Sequence, residues 1–199
     1  MSSRCGAALW VLGAIGYLVL EALAAAGYPH YSYADNYISD LGVAGSRTHV
    51  MHAAFCSYGV LFLLGAVLIV GVPASRRASI FLAMAAINAV GNIVVGTIYS
   101  GKVHVVGAAL AIVGGNVAIA AGSRVVGIAR RWYQRGSELV AALGLLSLTM
   151  LVVDSAITDS RILPDGVWER GSVYSITLWQ LLTAGCLLAA EDPDPDPAQ

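Results

Sequence analysis

Residues 50–72, VMHAAFCSYGVLFLLGAVLIVGV, decide the fold. No Asp, Glu, Lys or Arg interrupts them. As a helix rising about 1.5 Å per residue, a run of this length crosses a hydrocarbon core about 30 Å thick. Working outward, five further runs have the same character: 5–26, 80–99, 103–123, 139–157 and 173–190. A transmembrane barrel would show short segments of alternating polarity instead of continuous apolar runs. The sequence therefore predicts an all-α polytopic membrane protein, a six-transmembrane-helix bundle forming one domain over residues 1–190. The last residues, 191–199, read EDPDPDPAQ and are expected to form a disordered acidic tail, because they have no apolar surface to bury.

Composition agrees with this reading. Of 199 residues, 58% are apolar and only 12% charged, and the mean hydropathy is +0.75; soluble domains are about one quarter charged. A net charge of −1 gives no reason to expect a nucleic-acid partner, whereas membrane lipids are expected partners. Cys5, Cys56 and Cys186 are odd in number and each lies in an apolar run, so neither a disulfide framework nor a thiolate metal site is expected. The first run also resembles a secretory signal ending in Ala24-Ala25-Ala26, but its length and Glu21 favour a retained span.

Orientation is read from Lys and Arg, which favour cytoplasmic loops. With the N-terminus inside, seven of them lie on inner segments (Arg4, Arg76, Arg77, Arg124, Arg130, Arg131, Arg135) and four on outer ones (Arg47, Lys102, Arg161, Arg170). Both termini are therefore expected in the cytoplasm. The segments around Arg76-Arg77 and 130–136 read as tight inner turns, with Trp132 and Tyr133 at the interface. In this topology the cell membrane holds a multi-pass protein with a one-sided polar cluster on the extracytoplasmic face. All four histidines (His30, His49, His52, His104) fall there, as do Asp154, Asp159, Asp165, Glu169 and Arg170.

Ionisable or amide side chains at membrane depth are costly and so become candidate site residues. Glu21 lies near the outer end of the first helix, with Tyr17 one turn deeper on the same face. Asn88 and Asn92 share a face of the third helix and either line a polar cavity or bond to a neighbouring helix. His49 and His52 are three apart at the start of the second helix. With His104, and Asp40 or Asp154, they could hold a zinc ion bearing an activated water, although the HxxxH and HExxH spacings of zinc helices are absent. No cofactor is expected on the main reading; zinc is the alternative. Gly107, Ala111 and Gly115 form a small-residue stripe that suits close helix packing, either inside the bundle or in a homo-oligomer. Helices three and four share a Gly-Asn step, Gly91-Asn92 and Gly115-Asn116, which is too short to establish a duplication.

The polar stretch between helices one and two, 28–52, contains Asn36, Ser39 and Asp40 and reads as a short turn or re-entrant element. Asp40 is expected to cap backbone amides, and Gly42 and Gly45 to supply positive φ. The stretch is expected to pack over the mouths of helices four to six, bringing Asn36, Ser39 and Asp40 to His104 and Arg170.

The motif at 37–42, YISDLG, preceded by Pro29-His30-Tyr31 and Asn36, resembles a bacterial membrane-protein family called domain of unknown function 998 (DUF998). Two further stretches resemble the same family in order along the chain. One runs from Gly101 through His104 to Ala108 with Gly115-Asn116 after it; the other runs from Gly166 to Arg170 with Tyr174 and Trp179 after it. The resemblance implies a compact six-helix membrane domain and directs attention to Asn36, Ser39, Asp40, His104, Asn116, Glu169 and Arg170. It implies no activity. In layout the family is also similar to eukaryotic six-helix proteins linked to lipid remodelling, an analogy of fold only.

From the residues, the leading expectation is a protein that binds or transports a lipid or small amphiphile. Asp40, Asp154 and Glu169 would accept from hydroxyl or ammonium groups, and Arg170 and His104 would meet phosphate or carboxylate. The alternatives are an intramembrane metal-dependent lipid hydrolase using His49, His52 and His104, and a structural or assembly protein. A two-haem carrier is disfavoured because all four histidines lie on one side, and a serine hydrolase because Ser39 sits in no nucleophile motif.

Overall fold

A computed structural model describes residues 2–156 and 162–190. The six expected helices are present: α1 (Ser2–Ala25), α2 (Thr48–Val70), α3 (Arg76–Thr97), α4 (Gly101–Gly122), α5 (Arg131–Ala156) and α6 (Asp165–Ala189), with a short 3-10 turn (Ser39–Gly42) between α1 and α2. All six are long and apolar enough to span a membrane. Each helix packs against the next and α6 returns to α1, closing a ring in which α4 also touches α6. The expected tail, 191–199, and Asp159 and Arg161 lie outside the described residues.

Burial is inverted relative to a water-soluble bundle. Leu12, Val19, Leu143, Leu146 and Leu178 are exposed, while Asn116, Ser137, Gln180 and Thr183 are fully buried. Lipid solvates the apolar exterior, so side-chain hydrogen bonds and close packing hold the interior together. The core is layered along α1, whose Trp10, Tyr17, Glu21 and Ala24 point inward. Trp10 meets Phe62, Phe81 and Trp179, and Tyr17 stacks at a tilt on Tyr58 with ring centroids 4.8 Å apart. Glu21 forms the uppermost polar layer. Both tryptophan N–H groups are satisfied, Trp10 by the Phe62 carbonyl and Trp179 by Ser137 Oγ, each at 2.9 Å.

The small-residue stripe of α4 is used inside the subunit. A methyl group at Gly91 of α3 would collide with the Ala111 backbone and come within 2.6 Å of the Gly107 carbonyl oxygen, so this helix pair meets backbone to backbone.

Two helices, α5 and α6, begin well before their apolar runs, at 131 against 139 and at 165 against 173. α5 starts at Arg131, and the segment expected as a tight turn is its first helical turns; Trp132 is exposed, but Tyr133 is buried and bonds Thr183 Oγ1 at 2.7 Å rather than facing an interface. α6 starts at Asp165, directly after Pro164, so Glu169 and Arg170 are helical. The reason is the same in both: hydropathy marks where lipid covers a helix, and these turns are polar because protein or headgroups cover them.

Candidate functional site

Above the Glu21 layer, the 26–47 connection folds down onto the bundle, and Arg170 of α6 is the group it folds around. The guanidinium Nη1 donates to the carbonyl oxygens of Tyr33 (2.7 Å), Asn36 (2.9 Å) and Gly166 (3.3 Å). Nη2 donates to Glu21 Oε1 at 3.1 Å and to the Tyr31 hydroxyl. The Tyr31 hydroxyl in turn donates to the Tyr37 carbonyl oxygen at 3.0 Å, and burial pushes its phenol above the ordinary range, so it remains a neutral donor. Tyr174 donates to the second Glu21 oxygen at 2.9 Å, and Arg170 lies over the rings of Tyr33 and Tyr31. Arginine suits this position because its planar fork addresses several acceptors at once.

The loop is shaped by its own side chains. Asp40 Oδ2 accepts from the Tyr37 N–H at 2.9 Å, the expected backbone cap. Gly45 has the expected positive φ, 99°. Gly42 does not; a methyl group there would meet the His52 ring at 3.2 Å, so its small size is what matters. Asn36 folds back on Ser32 N at 2.9 Å. At Gly166 the loop comes so close to α6 that a side chain would strike the Asn36 and Ala34 carbonyl oxygens. The loop is therefore anchored on α1, α2 and α6 rather than over helices four to six.

The residues picked out in the sequence separate into three groups. Glu21, Asn36 and Arg170 meet, with Asp40 and Glu169 at the edge of the same cluster; the Ile38 N–H donates to Glu169 Oε2. Asp154 forms a second buried point, accepting from Trp168 Nε1 at 2.7 Å and from the Ile162 and Leu163 amides at 3.2 and 3.4 Å. Asn116 serves the helix interface, donating to Ser172 O at 3.0 Å and accepting from Ser175 at 2.8 Å. The histidines stand apart. His104 Nδ1 bonds the Ile98 carbonyl at 2.6 Å, His52 Nε2 bonds the Gly42 carbonyl at 2.7 Å and stacks on Tyr99, and His49 is exposed. Among the described residues, no hydrogen bond joins His104 to Arg170, and no group of three or more His, Cys, Asp or Glu side chains is placed to hold a metal.

Beneath the 3-10 turn lies a cavity between α1, α2, α3, α4 and α6. Ile38 and Ser39 roof it, and Tyr17, Asn88, Asn92 and Glu169 supply its polar wall. The space open to the centre of a water-sized sphere is about 30 Å³, enough for a water or a small polar group. Asn88 does both things expected of it, lining the cavity and donating from Nδ2 to the Ala111 carbonyl of α4 at 2.6 Å; Asn92 lines the cavity, but its Nδ2 donates within α3, to Asn88 O at 3.0 Å. The Tyr17 hydroxyl and Asn88 Oδ1 are buried there with no hydrogen-bond partner. Ser39, Ala108 and Val173 are the half-exposed members of the wall, so the cavity opens between the 3-10 turn, α4 and α6. Sequence reading missed Tyr31, Tyr58 and Trp168. Two i, i+4 pairs, Tyr17 with Glu21 and Arg170 with Tyr174, carried a signal for the cluster.

Six apolar helices around a polar interior and a roofed cavity define a multi-pass helical membrane protein. The chain belongs to the family described as protein of unknown function (DUF998), whose model matches residues 11–185. No curated protein and no solved structure matches it.

Proposed function

We propose that the protein binds or transports a lipid or small amphiphile whose polar head enters the cavity beneath the 3-10 turn, with the apolar chain leaving between α4 and α6. One observation carries this reading: the Tyr17 hydroxyl and Asn88 Oδ1 are buried and unpartnered on the wall of a cavity whose remaining lining is mostly apolar. Buried polar atoms are normally satisfied, and a bound polar group would satisfy these two. Arg170 is not the headgroup contact expected from the sequence, since Glu21, Tyr31 and three carbonyl oxygens occupy both of its terminal nitrogens. With both termini in the cytoplasm, the cavity lies in the extracytoplasmic half of the cell membrane.

Native mass spectrometry of the protein released from membranes tests this reading. Wild type should retain a lipid-sized adduct, and Asn88→Leu combined with Tyr17→Phe should lose it; retention by the double variant, or no adduct on wild type, counts against it. The zinc-hydrolase alternative has less support, because among the described residues no three His, Cys, Asp or Glu side chains are grouped to hold a metal. For an assembly role, the α4 stripe offers little, because it already packs on α3.

A further inference from the structure

The cavity's charge narrows the ligand class, on the premise that it binds an amphiphile as proposed above. Its wall contains Glu169 and no Lys, Arg or His. Arg170 is the adjacent residue, yet its guanidinium turns to Glu21 and the loop carbonyls. Among the described residues, Glu169 makes one hydrogen bond, from the Ile38 N–H, and no ion pair. The charged groups acting on it are Arg170 on one side and Asp40 and Glu21 on the other. Glu169 is therefore the one charged group on the cavity wall, at membrane depth, where an unpaired carboxylate is costly.

Of the uncharged groups Asn88 has the same bias, and the Tyr17 hydroxyl, donor or acceptor, is compatible with it. Asn88 spends its amide nitrogen on Ala111, which turns Oδ1, an acceptor, into the unpartnered atom. Tyr17 adds a hydroxyl oxygen that can accept. An anionic head would face Glu169 with no cation to meet it. A protonated amine, which carries charge and up to three N–H donors, would answer Glu169, Asn88 Oδ1 and Tyr17 together.

We infer that the ligand is a cationic amphiphile, an alkyl chain ending in a protonated primary amine, with its ammonium group bonded to Glu169, Asn88 Oδ1 and the Tyr17 oxygen. The small polar volume admits an ammonium head and excludes a bulky phosphodiester headgroup, while the chain follows the opening past Ala108 and Val173.

The experiment uses full-length protein in phosphatidylcholine nanodiscs at pH 7, where octylamine is protonated. Saturable binding of radiolabelled octylamine is measured, with octan-1-ol and octanoate as competitors of equal chain length. The expected result is one saturable site that octanol displaces about tenfold less well than unlabelled octylamine, and octanoate not at all. Glu169→Gln should weaken octylamine about tenfold to a hundredfold and abolish its advantage over octanol. Tyr17→Phe, which keeps the ring, should weaken it less without changing the thermal midpoint, and it decides the matter if Glu169→Gln does not fold. Equal displacement by octanol, or unchanged octylamine binding in the folded variants, overturns the amine assignment and leaves amphiphile binding standing. Absence of saturable octylamine binding by wild type overturns the amine assignment, and amphiphile binding falls with it only if native mass spectrometry also shows no lipid-sized adduct.

Discussion

Arg170 organises the outer half of the molecule because all but one of its bonds join parts distant in sequence: α1 through Glu21, and the 26–47 connection through Tyr31, Tyr33 and Asn36. Both charges are nearly sealed from solvent, so removing one strands the other. Glu21→Leu and Arg170→Leu should each cost about 3–5 kcal/mol, and the double variant should recover much of the loss. Equilibrium unfolding in mixed micelles measures all three; a double variant as unstable as the sum of the singles would show that the two groups do not act as a pair. Arg170→Lys should not rescue stability, since a single ammonium cannot address five acceptors. At Gly166 the constraint is steric. Gly166→Ala should lift the loop from α6 at a cost of about 1–3 kcal/mol, visible as faster amide exchange over residues 28–47.

The helices show how membrane packing distributes its constraints. Gly91 faces the Ala111 backbone, whereas nothing lies within 4 Å of a methyl group built at Gly16 or Gly185. Gly91→Ala should therefore part α3 from α4 and lower the thermal midpoint. Gly16→Ala and Gly185→Ala should leave it unchanged or raise it, because alanine in a helix is favoured by about 0.5–1 kcal/mol over glycine. A uniform response of all three positions would contradict the backbone contact. The 3-10 turn is held more lightly. Asp40→Ala removes the cap on Tyr37 and, by analogy with helix caps, should cost about 0.5–2 kcal/mol, while opening the cavity roof to proteases that cut near 37–42.

The whole bundle is a ring closed by α6 against α1, with the start of α1 and the end of α6 on one side; Arg4 Nη2 reaches the Leu188 carbonyl at 3.4 Å there. On the orientation proposed from the Lys and Arg distribution, that side is cytoplasmic. A C-terminal tag carrying a protease site should resist protease added to spheroplasts and be cut after lysis; cutting in intact spheroplasts would invert the assignment.

Six spans, their order and an all-helical bundle were legible in the chain because a helix facing lipid must be apolar over about 20 residues, a local property of sequence. Glu21, Asn36 and Arg170 were legible as candidates as well, Glu21 as a carboxylate inside an apolar run and the other two in polar connecting segments. Their partnerships were not. Glu21 meets Arg170 across 149 positions, and the polar first turns of α6 read as loop until the 26–47 connection covered them. Asn88 and Tyr17 became more than packing residues only when five helices enclosed a space beside them. The polar stretch before α2 had drawn attention to its histidines, yet its backbone carbonyls matter more, three of them fixed by two side chains of other elements: those of Tyr33 and Asn36 by Arg170, and that of Gly42 by His52. Hydropathy is read one residue at a time, whereas satisfying a buried polar atom requires a second group brought in from elsewhere in the fold; the first is written along the chain and the second exists only in the assembled bundle.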